Sequence, residues 1–467
     1  MDTVVLYSVT SISHLAPMTE FAKLLVAQGF SVAIPVLPPM HPSVSTSTTD
    51  DYITRISYSH PSISFHRLPP FTTNCSSTNF AVRLFSYVRS ANPLLCELLQ
   101  SISQTSNVRA ILTDFFCTDA FEIAADLNLP AYVFITCSAF MLAYFLYRPT
   151  LHSEMTSGLS ELGETPIHIP GLPPIPASHM PDVLDRNEGL QAFVDAFSHI
   201  PEAKGVIVNS FEILESRTLK TVREGHCLPN RDTPPVYCVG PLTTGSEAGG
   251  EAGERHECLT WLDKQPRGSV LFLCFGSRGR FPAEQVKEIA LGLERSEQRF
   301  LWVVRSPPDP DNWFASSNEV DLDTLLPVGF LERTEDRGMV VKAWAPQEEV
   351  LNHEATGGFV THCGWNSVLE GVRAGVGMIA WPLYAEQKMN KVLLVEEMKL
   401  AVEMKGYDKE MVAAEEVETR VRWFMESDGG KKLRDRAKEM KDSAAAALSH
   451  GGSSHAAMVE LLSNISN

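Results

Sequence analysis

The chain has 467 residues, 44% of them hydrophobic, and a formal net charge of −18 at pH 7. Its length predicts two or three domains of roughly 150 to 200 residues, because single hydrophobic cores rarely grow much larger. The acidic excess excludes nucleic acids and anionic membranes as expected partners, since binding to phosphate backbones needs clustered Lys and Arg.

The amino terminus and the cysteines bear on the cellular compartment. The opening MDTVVLYSV has no basic region and begins a strand pattern. No apolar run approaches the ~18 residues of a membrane span, so we expect neither a targeting segment nor a transmembrane helix. The nine cysteines form no CxxC pair and no regular framework. We therefore expect reduced thiols in a cytoplasmic protein. We also expect the protein to be a monomer.

The first half of the chain predicts a βαβ opening. A strand pattern at residues 3–9 is followed by a loop that carries His14, an amphipathic helix at 18–27 and a second strand at 31–37. This order predicts a parallel sheet with helices on both faces. Further strands are expected at residues 110–113, 131–135 and 205–209, helical stretches around 79–100 and 120–126, and a Pro- and Gly-rich surface excursion at 152–185.

A composition shift separates the two halves. Residues 240–254, GPLTTGSEAGGEAGE, have the composition of a flexible linker. The alternation of strand and helix then restarts with a strand at 269–275, a helix at 282–295 and a strand at 300–304. We predict two Rossmann-like domains at residues 1–239 and 256–450 with a linker at 240–255, a C-terminal helix in the segment 451–467, and ligand binding in a cleft at the carboxyl ends of the strands.

The most informative stretch is residues 344–387, WAPQEEVLNHEATGGFVTHCGWNSVLEGVRAGVGMIAWPLYAEQ. It begins with Trp344 just before Pro346, which suits the first position of a helix. An indole at this point, at the end of a strand, offers a stacking platform for a planar base.

A strand, a glycine turn and a helix follow within the same stretch. The apolar run at 359–361 leads through His362 and Gly364 into a helix start with Asn366 and Ser367 near its cap. Backbone N–H groups, the positive end of a helix dipole, a hydroxyl, an amide and an imidazole then surround one point, which suits a diphosphate. Gly364 is expected to let the backbone approach that ligand closely.

The whole stretch resembles the 44-residue signature of plant secondary-product glycosyltransferases, the family-one enzymes that move a sugar from a uridine diphosphate donor to a small acceptor. The resemblance implies a GT-B-type fold, α/β, with two Rossmann-like domains facing each other across a cleft and the segment 451–467 packed back on the first domain. Alone, any of these residues is more often a helix cap, a core aromatic or a solvated acid. Their joint occurrence at the family's spacing supports the resemblance.

The resemblance also implies a donor-binding set. A carboxylate beside an amide, as in Glu386 and Gln387, offers both acceptors and donors to vicinal hydroxyls of a sugar. The implied contacts are His362, Asn366, Ser367 and Ser277 for the diphosphate, with Gly364 and Trp365 in the same turn, Glu370 for the ribose, Trp344, Ala345 and Gln347 for the uracil, and Glu386, Gln387 and Thr136 for the sugar.

A second constellation lies in the first half. His14 follows the first strand and Asp114 follows the strand at 110–113, so both stand at carboxyl ends of strands. A carboxylate behind a His fixes its tautomer and lets it draw a proton from a hydroxyl. With 14 His and 57 acidic residues, such a pair alone would be coincidence more often than not. The resemblance supports the pair, since family members have a base His after the first strand, oriented by the Asp of a motif like TDFFCTDAF; Asp119 is expected to be a helix-start acid.

The resemblance implies an inverting transfer without a cofactor or metal. His353 and His362 are nine residues apart, which is not a zinc pattern. Gln387 is typical of glucose-using members, and Trp365 stands where glucuronate users tend to carry Arg. UDP-glucose is therefore the expected donor, and a β-glucoside the expected product.

The expected acceptor is a small phenolic molecule such as a flavonoid. Phe115, Phe116, Phe140 and Tyr144 are the expected apolar faces of its site, although such residues are equally common in cores. A phenol also suits an imidazole base, because its proton is removed more easily than that of an alkyl hydroxyl.

Several alternatives and departures from the family pattern remain. The alternatives are another UDP-sugar donor, a C-glycoside product, or a catalytically silent nucleotide-sugar binding protein; an epimerase of similar architecture lacks support from residues 344–387. Ser13 stands where members usually have Gly, and Gly377 replaces a usual Pro. Arg278 and Arg280 beside the phosphate loop either strengthen donor binding or are solvated surface charges.

Overall fold

The computed structural model describes residues 2–40, 46–155, 158–181, 187–244, 255–308 and 320–466. The chain divides into two compact units, one containing Met1–Thr243 and Ala446–Asn467 and the other Thr244–Ala445. Within the described residues, no helix is both long and apolar enough to cross a membrane.

Parallel strands and flanking helices build the first unit. Its strands are β1 (Asp2–Tyr7), β2 (Ser31–Val36), β3 (Ile63–Arg67), β4 (Asn107–Asp114), β5 (Ala131–Ile135), β6 (Pro166–Ile167), β7 (Ile175–Pro176), β8 (Val206–Val208) and β9 (Val236–Cys238). Its helices up to that point are α1 (Ile12–Ala27), α2 (Ser47–Ser59), α3 (Phe80–Ser90), α4 (Asn92–Ser103), α5 (Ala120–Asp126), α6 (Ala139–Glu154), α7 (Leu159–Leu162), α8 (Asn187–Ser198) and α9 (Ser216–Arg223).

The main sheet of this unit has seven parallel strands in the order β3-β2-β1-β4-β5-β8-β9. Its residues alternate between two cores: Val4 and Leu6 of β1 belong to one buried cluster, Val5 and Tyr7 to the other. Burial on both faces explains the continuous apolar runs. The chain leaves β1 for one side of the sheet and returns on the other side at β4, so the gap between β1 and β4 is the switch point where ligands bind in such sheets.

Two local predictions for this unit need correction. Helix α1 begins at Ile12, so His14 lies in its first turn rather than in a loop. The sequence pattern obscured this start because Pro17, inside the helix, usually marks a helix beginning or end. Residues 79–100 form the two helices α3 and α4, because Pro93 can start a helix but not continue one.

The predicted linker begins too early. Gly240, Leu242 and Thr243 are buried. The Asn209 side chain accepts a hydrogen bond from the Leu242 amide at 2.7 Å and donates to the Leu242 carbonyl at 3.0 Å. Gly and Thr in this stretch therefore serve tertiary packing, and the remainder of the predicted linker at 245–254 lies outside the described residues.

The second unit repeats the architecture with a six-stranded parallel sheet. Its strands are β10 (Val270–Cys274), β11 (Arg299–Val304), β12 (Gly338–Lys342), β13 (Thr356–Thr361), β14 (Met378–Ala380) and β15 (Ala401–Glu403). Its helices are α10 (Glu257–Leu262), α11 (Ala283–Ser296), α12 (Leu322–Leu325), α13 (Phe330–Arg333), α14 (Gln347–Asn352), α15 (Trp365–Ala374), α16 (Gln387–Val392), α17 (Ala414–Glu426) and α18 (Asp428–Leu448), with a π-helical turn at Leu393–Glu397.

The strand order β12-β11-β10-β13-β14-β15 places a second switch point between β10 and β13. The polar turns that follow these two strands carry Ser277 and His362. The predicted phosphate-binding residues therefore emerge at the edge of the sheet where doubly wound folds bind ligands.

The last helix, α19 (Ser453–Ser466), belongs to the first unit. Met458, Leu461 and Ile465 join the same buried cluster as one face of the seven-stranded sheet. Polar bonds fix its position: the Ser454 hydroxyl donates to the Gly240 carbonyl at 2.6 Å, and the Asn464 amide donates to the Tyr237 hydroxyl at 2.8 Å.

Truncating α19 at its buried face should destabilise the first unit. Leu461 is fully buried, so we expect Leu461→Ala to lower the free energy of unfolding by about 2–5 kcal/mol through lost contacts and a cavity. Val459 on the same helix is 54% exposed, and Val459→Ala should change it by less than about 0.5 kcal/mol. Denaturant unfolding of both variants measures the difference; equal effects would contradict this account of the helix.

Candidate active site

His14 and Asp114 meet at the switch point of the first unit. His14 Nδ1 lies 3.3 Å from Asp114 Oδ2, and the carboxylate is fully buried whereas 17% of the His side chain is exposed. The Thr136 hydroxyl also lies 3.3 Å from the same nitrogen. With Nδ1–H directed at these oxygens, the lone pair of the imidazole is on Nε2, which is the arrangement of a general base.

Backbone N–H groups hold the carboxylate in place. Asp114 Oδ2 accepts from the Val9 amide at 3.1 Å and Oδ1 from the Phe116 amide at 2.7 Å. The neighbouring acid Asp119 is engaged elsewhere, because Arg89 donates to both of its oxygens at 3.0 and 3.2 Å. Asp119 stands immediately before α5, at its N-cap, and of the two acids only Asp114 contacts His14.

Aromatic rings surround the imidazole of His14. Its ring centroid lies 5.6 Å from that of Phe115 and 5.2 Å from that of Phe116. Phe145 of α6 extends the cluster, 5.0 Å from Phe115. Four further rings of this cluster come from three separate helices and lie in no sequence motif that could have predicted them: Phe85, Phe145, Phe193 and Phe197.

Phe140 and Tyr144 do not provide the exposed faces expected of them. Both have no accessible surface. They lie in α6, where every residue from Ala139 to Leu146 is buried, and the amide of Phe140 donates to the buried carboxylate of Glu215 at 2.8 Å. Their position is that of core residues, since a helix buried on all sides presents no amphipathic face.

In the second unit, the turn after β13 holds His362 among glycines. His362 is 7% exposed, and its Nδ1 is buried without a hydrogen-bond partner. A Cβ on Gly276 or on Gly364 would collide with Nε2 of this imidazole. Gly364 was expected to admit the ligand; in the structure its missing side chain makes room for His362.

The environment of His362 keeps its ring neutral. Burial, together with the positive charge of Arg305, lowers the pKa of His362 to about 4. The ring can therefore donate a hydrogen bond to a phosphate oxygen near neutral pH but contributes no full positive charge. Helix α15 starts at the next turn, and Gly364 supplies no side-chain cap there, so its N-terminal dipole points at the same place.

The predicted uracil and ribose residues form one hydrogen-bonded group. The Gln347 amide donates to the Ser367 hydroxyl at 2.8 Å and also to the Glu370 carboxylate. Burial raises the pKa of Glu370 to about 7. Trp344 follows β12 and is 44% exposed, as a stacking platform requires, whereas Ala345 is buried.

The predicted sugar-binding residues lie at the start of α16. Gln387 is 2% exposed, and its side-chain oxygen accepts from the Leu383 and Tyr384 amides at 2.8 and 2.9 Å. These bonds fix the loop that carries Glu386, which stands at the N-cap of α16. Gln387 thus positions the loop, and its contact with the sugar stays a prediction.

The departures from the family pattern have distinct surroundings. Arg278 is exposed, as is the preceding Ser277, which matches the family pattern, whereas Arg280 lines a cavity of about 180 Å³ with Tyr384 and Tyr407. A Cβ on Gly377 would collide with Leu433 of α18, so the glycine permits close helix packing. In the parts of the chain that the structure describes, no group of three His, Cys, Asp or Glu side chains could hold a metal ion.

Comparison with known proteins identifies the family. A family model described as UDP-glucoronosyl and UDP-glucosyl transferase matches residues 249–438. The chain is 48% identical to UDP-glycosyltransferase 88F3 of Pyrus communis and 46% identical to a phloretin 2'-O-glucosyltransferase of Malus domestica, with 99% of both chains covered in each case. The chain belongs to the plant family-one UDP-glycosyltransferases.

A solved structure agrees with this family. Phytolacca americana UGT2, complexed with UDP-2fluoro-glucose and pterostilbene, matches with a TM-score of 0.89 at 34% identity over 100% of both chains. The predicted GT-B fold class, with two Rossmann-like domains, is confirmed, and the chain is a glycosyltransferase enzyme that uses a UDP-sugar as co-substrate.

Adding a methyl group at Gly364 should disturb His362. We expect Gly364→Ala to weaken UDP binding at least tenfold, because the imidazole must move away from the turn. In the matched control Gly371→Ala, the one contact of the new methyl under 3.0 Å is with the flexible end of Met378, and the Phe359 ring lies at an ordinary 3.6 Å. UDP affinity should therefore stay within about twofold of wild type. Titration calorimetry measures both, and an unchanged affinity in Gly364→Ala would contradict this role.

The raised pKa of Glu370 predicts a pH-dependent donor affinity. Only the ionised carboxylate accepts hydrogen bonds from both ribose hydroxyls, and protonation below about pH 7 removes it. The dissociation constant of UDP-glucose should therefore rise by up to about tenfold for each pH unit below 7. Glu370→Gln should bind more weakly but without this slope; a wild-type affinity that stays flat from about pH 8 to about pH 5 would contradict the assignment.

Proposed function

We propose that this UDP-glycosyltransferase transfers glucose from UDP-glucose to a phenolic hydroxyl of a small planar aromatic molecule, with inversion at the anomeric carbon. The observation that carries the proposal is the His14–Asp114 contact of 3.3 Å among aromatic rings. A protein that only binds nucleotide sugars has no use for a base held in this way.

The reaction is a single displacement. Nε2 of His14 takes the proton of the acceptor hydroxyl while its oxygen attacks the anomeric carbon. The bond from that carbon to the β-phosphate oxygen breaks, and UDP leaves with the electron pair. The imidazolium that forms faces the buried Asp114 carboxylate, which stabilises it. An α-linked donor then gives a β-linked product.

Groups of the second unit would stabilise the leaving diphosphate. The neutral His362 ring donates a hydrogen bond, and the N-terminus of α15 directs its dipole at the same place. Ser277, in the exposed turn after β10, adds a hydroxyl. Gln347 would hold the uracil and Glu370 the ribose, while Ser367, hydrogen-bonded to Gln347, would contact the diphosphate.

The acceptor class follows from the residues around His14. Phe115 and Phe116 flank the imidazole and offer flat apolar surfaces, so an aromatic ring can stack beside the base. Two similar proteins support a phenol: the Malus domestica relative is named for phloretin, and the Phytolacca americana structure contains pterostilbene.

The donor proposal rests on the loop before α16. Glu386 and the oriented amide of Gln387 form the carboxylate and amide pair that suits glucose hydroxyls. Single hydrogen bonds separate epimeric sugars, so the preference must be measured.

Incubating the protein with UDP-glucose, UDP-galactose, UDP-xylose and UDP-glucuronate against a panel of phenols tests the whole proposal. We expect a mass gain of one hexose on phenols, an O-linked product with a β anomeric coupling by NMR, and the highest kcat/KM with UDP-glucose. Transfer only to aliphatic alcohols or amines, a C-linked product, or a preference for another donor would overturn the respective part.

Removing the base should abolish most turnover. We expect His14→Ala to lower kcat by roughly two to four orders of magnitude, the usual contribution of a positioned general base, and to leave UDP affinity nearly unchanged. Asp114→Asn should also lower kcat, whereas Asp119→Asn, which alters only the pair with Arg89, should have the smaller effect. Steady-state kinetics measures these effects. A kcat of His14→Ala within threefold of wild type would contradict its role as the base, and a larger loss of kcat in Asp119→Asn than in Asp114→Asn would contradict the role of Asp114.

A further inference from the structure

Arg305 stands at the edge of the donor site without an assigned role. It directly follows β11. The neighbouring strands β10 and β11 pair Leu273 with Trp302, so the turns that carry Gly276 and Arg305 follow these strands at the same edge of the sheet. The positive charge of Arg305 acts on His362 in the adjoining turn. Gly276 is the residue whose missing Cβ leaves room for the imidazole of His362. The guanidinium is therefore within reach of the turn that carries the buried His.

The positive charge of Arg305 has no carboxylate partner among the residues that the structure describes. It is only partly exposed, and within the described ranges the structure gives it no hydrogen bond and no carboxylate at ion-pair distance. Burial lowers its pKa, and the positive charge of Arg280 acts in the same direction. Half-buried arginines are normally paired, because an uncompensated charge away from water is costly. A cation without a carboxylate partner beside a predicted phosphate-binding turn points to an anionic ligand.

Three neighbouring groups each supply less than one full, unscreened positive charge at this turn. His362 is neutral near pH 7, and its Nδ1 has no partner. Arg278 is exposed to solvent, so its attraction is screened. Helix α15 contributes about half an elementary charge at its N-terminus. A diphosphate in a chain with a net charge of −18 needs a full cation nearby, and the partly desolvated Arg305 is in the position where such a charge is effective.

We propose that Arg305 supplies the fixed positive charge that binds the diphosphate of the UDP-sugar and stabilises it as it leaves. His362 then donates a hydrogen bond as a neutral ring, while Arg305 beside it carries the positive charge. This inference rests on the proposed function only for the use of a UDP-sugar, and it assigns to Arg305 direct contact with the phosphate oxygens.

Binding of UDP, UMP and uridine to three variants tests the proposal without glucosyl transfer. Arg305→Gln removes the charge, and Arg305→Lys restores it with a different shape. The matched control is Arg299→Gln, at the amino end of the same strand, where the guanidinium donates to Gln265 at 2.8 Å and to the Asp336 carbonyl at 3.2 Å. Calorimetry gives the dissociation constants, and added salt measures the electrostatic part.

We expect Arg305→Gln to weaken UDP binding by about ten- to a hundredfold, the usual size for a lost charge-assisted hydrogen bond, and uridine binding by less than about threefold. Arg305→Lys should recover part of the loss, and Arg299→Gln should match wild type. Equal losses for UDP and uridine would mean that Arg305 is structural, and an unchanged UDP affinity would exclude the contact; either result overturns the proposal.

The imidazole of His362 offers an independent readout. In ligand-free Arg305→Gln, the pKa of His362 followed by NMR should rise, because one of its two depressing causes, the positive charge of Arg305, is gone while burial remains. Arg299→Gln should leave it unchanged, and an unaltered value in Arg305→Gln would show that the two groups are not close. Failure of phenol glucosylation in wild type would count against the proposed function alone, since neither readout depends on transfer.

Discussion

The carboxylate of Asp114 ties together the parts of the first unit on which the chemistry depends. It sits at the end of β4, accepts amide hydrogen bonds from Val9 beyond β1 and from Phe116, and contacts the imidazole of His14 in α1. A fully buried carboxylate is tolerated only when such donors compensate its charge. The contacts that compensate the buried charge of Asp114 also fix the position and tautomer of the His14 imidazole.

The second unit is proposed to bind an anion, and the groups that would do so carry little formal charge. It must hold a dianionic diphosphate in a strongly acidic chain, and its buried His362 is neutral. Glycines at 276 and 364 let that ring pack against the backbone. Partial charges from a helix end and from N–H groups, with the guanidinium proposed to join them, would act in a poorly solvated turn, where each interaction is stronger than in water.

Sequence reasoning succeeded where structure is local and failed where it is tertiary. The segment from β13 through His362 to α15 is the continuous stretch 356–374, so its spacing alone places a polar turn at a strand end. Phe193 and Arg305 could not be found in this way, since they approach the site from other elements. A polar residue directly after a predicted strand was the available signal for Arg305. The exposure of Phe140 was likewise mispredicted, because the part of α6 from Ala139 to Leu146 is buried on all sides and shows no amphipathic pattern.

The return of the last helix to the first sheet has a consequence for synthesis on the ribosome. The second unit is formed from the continuous residues 244–445, whereas the first needs Ala446–Asn467 for its core. Residues 1–243 therefore leave the ribosome with the apolar surface beneath Leu461 uncovered, and it stays so until residues 446–467 have also emerged. During that interval the unfinished sheet exposes apolar surface that is prone to aggregation, and the docking of α19 ends that exposure.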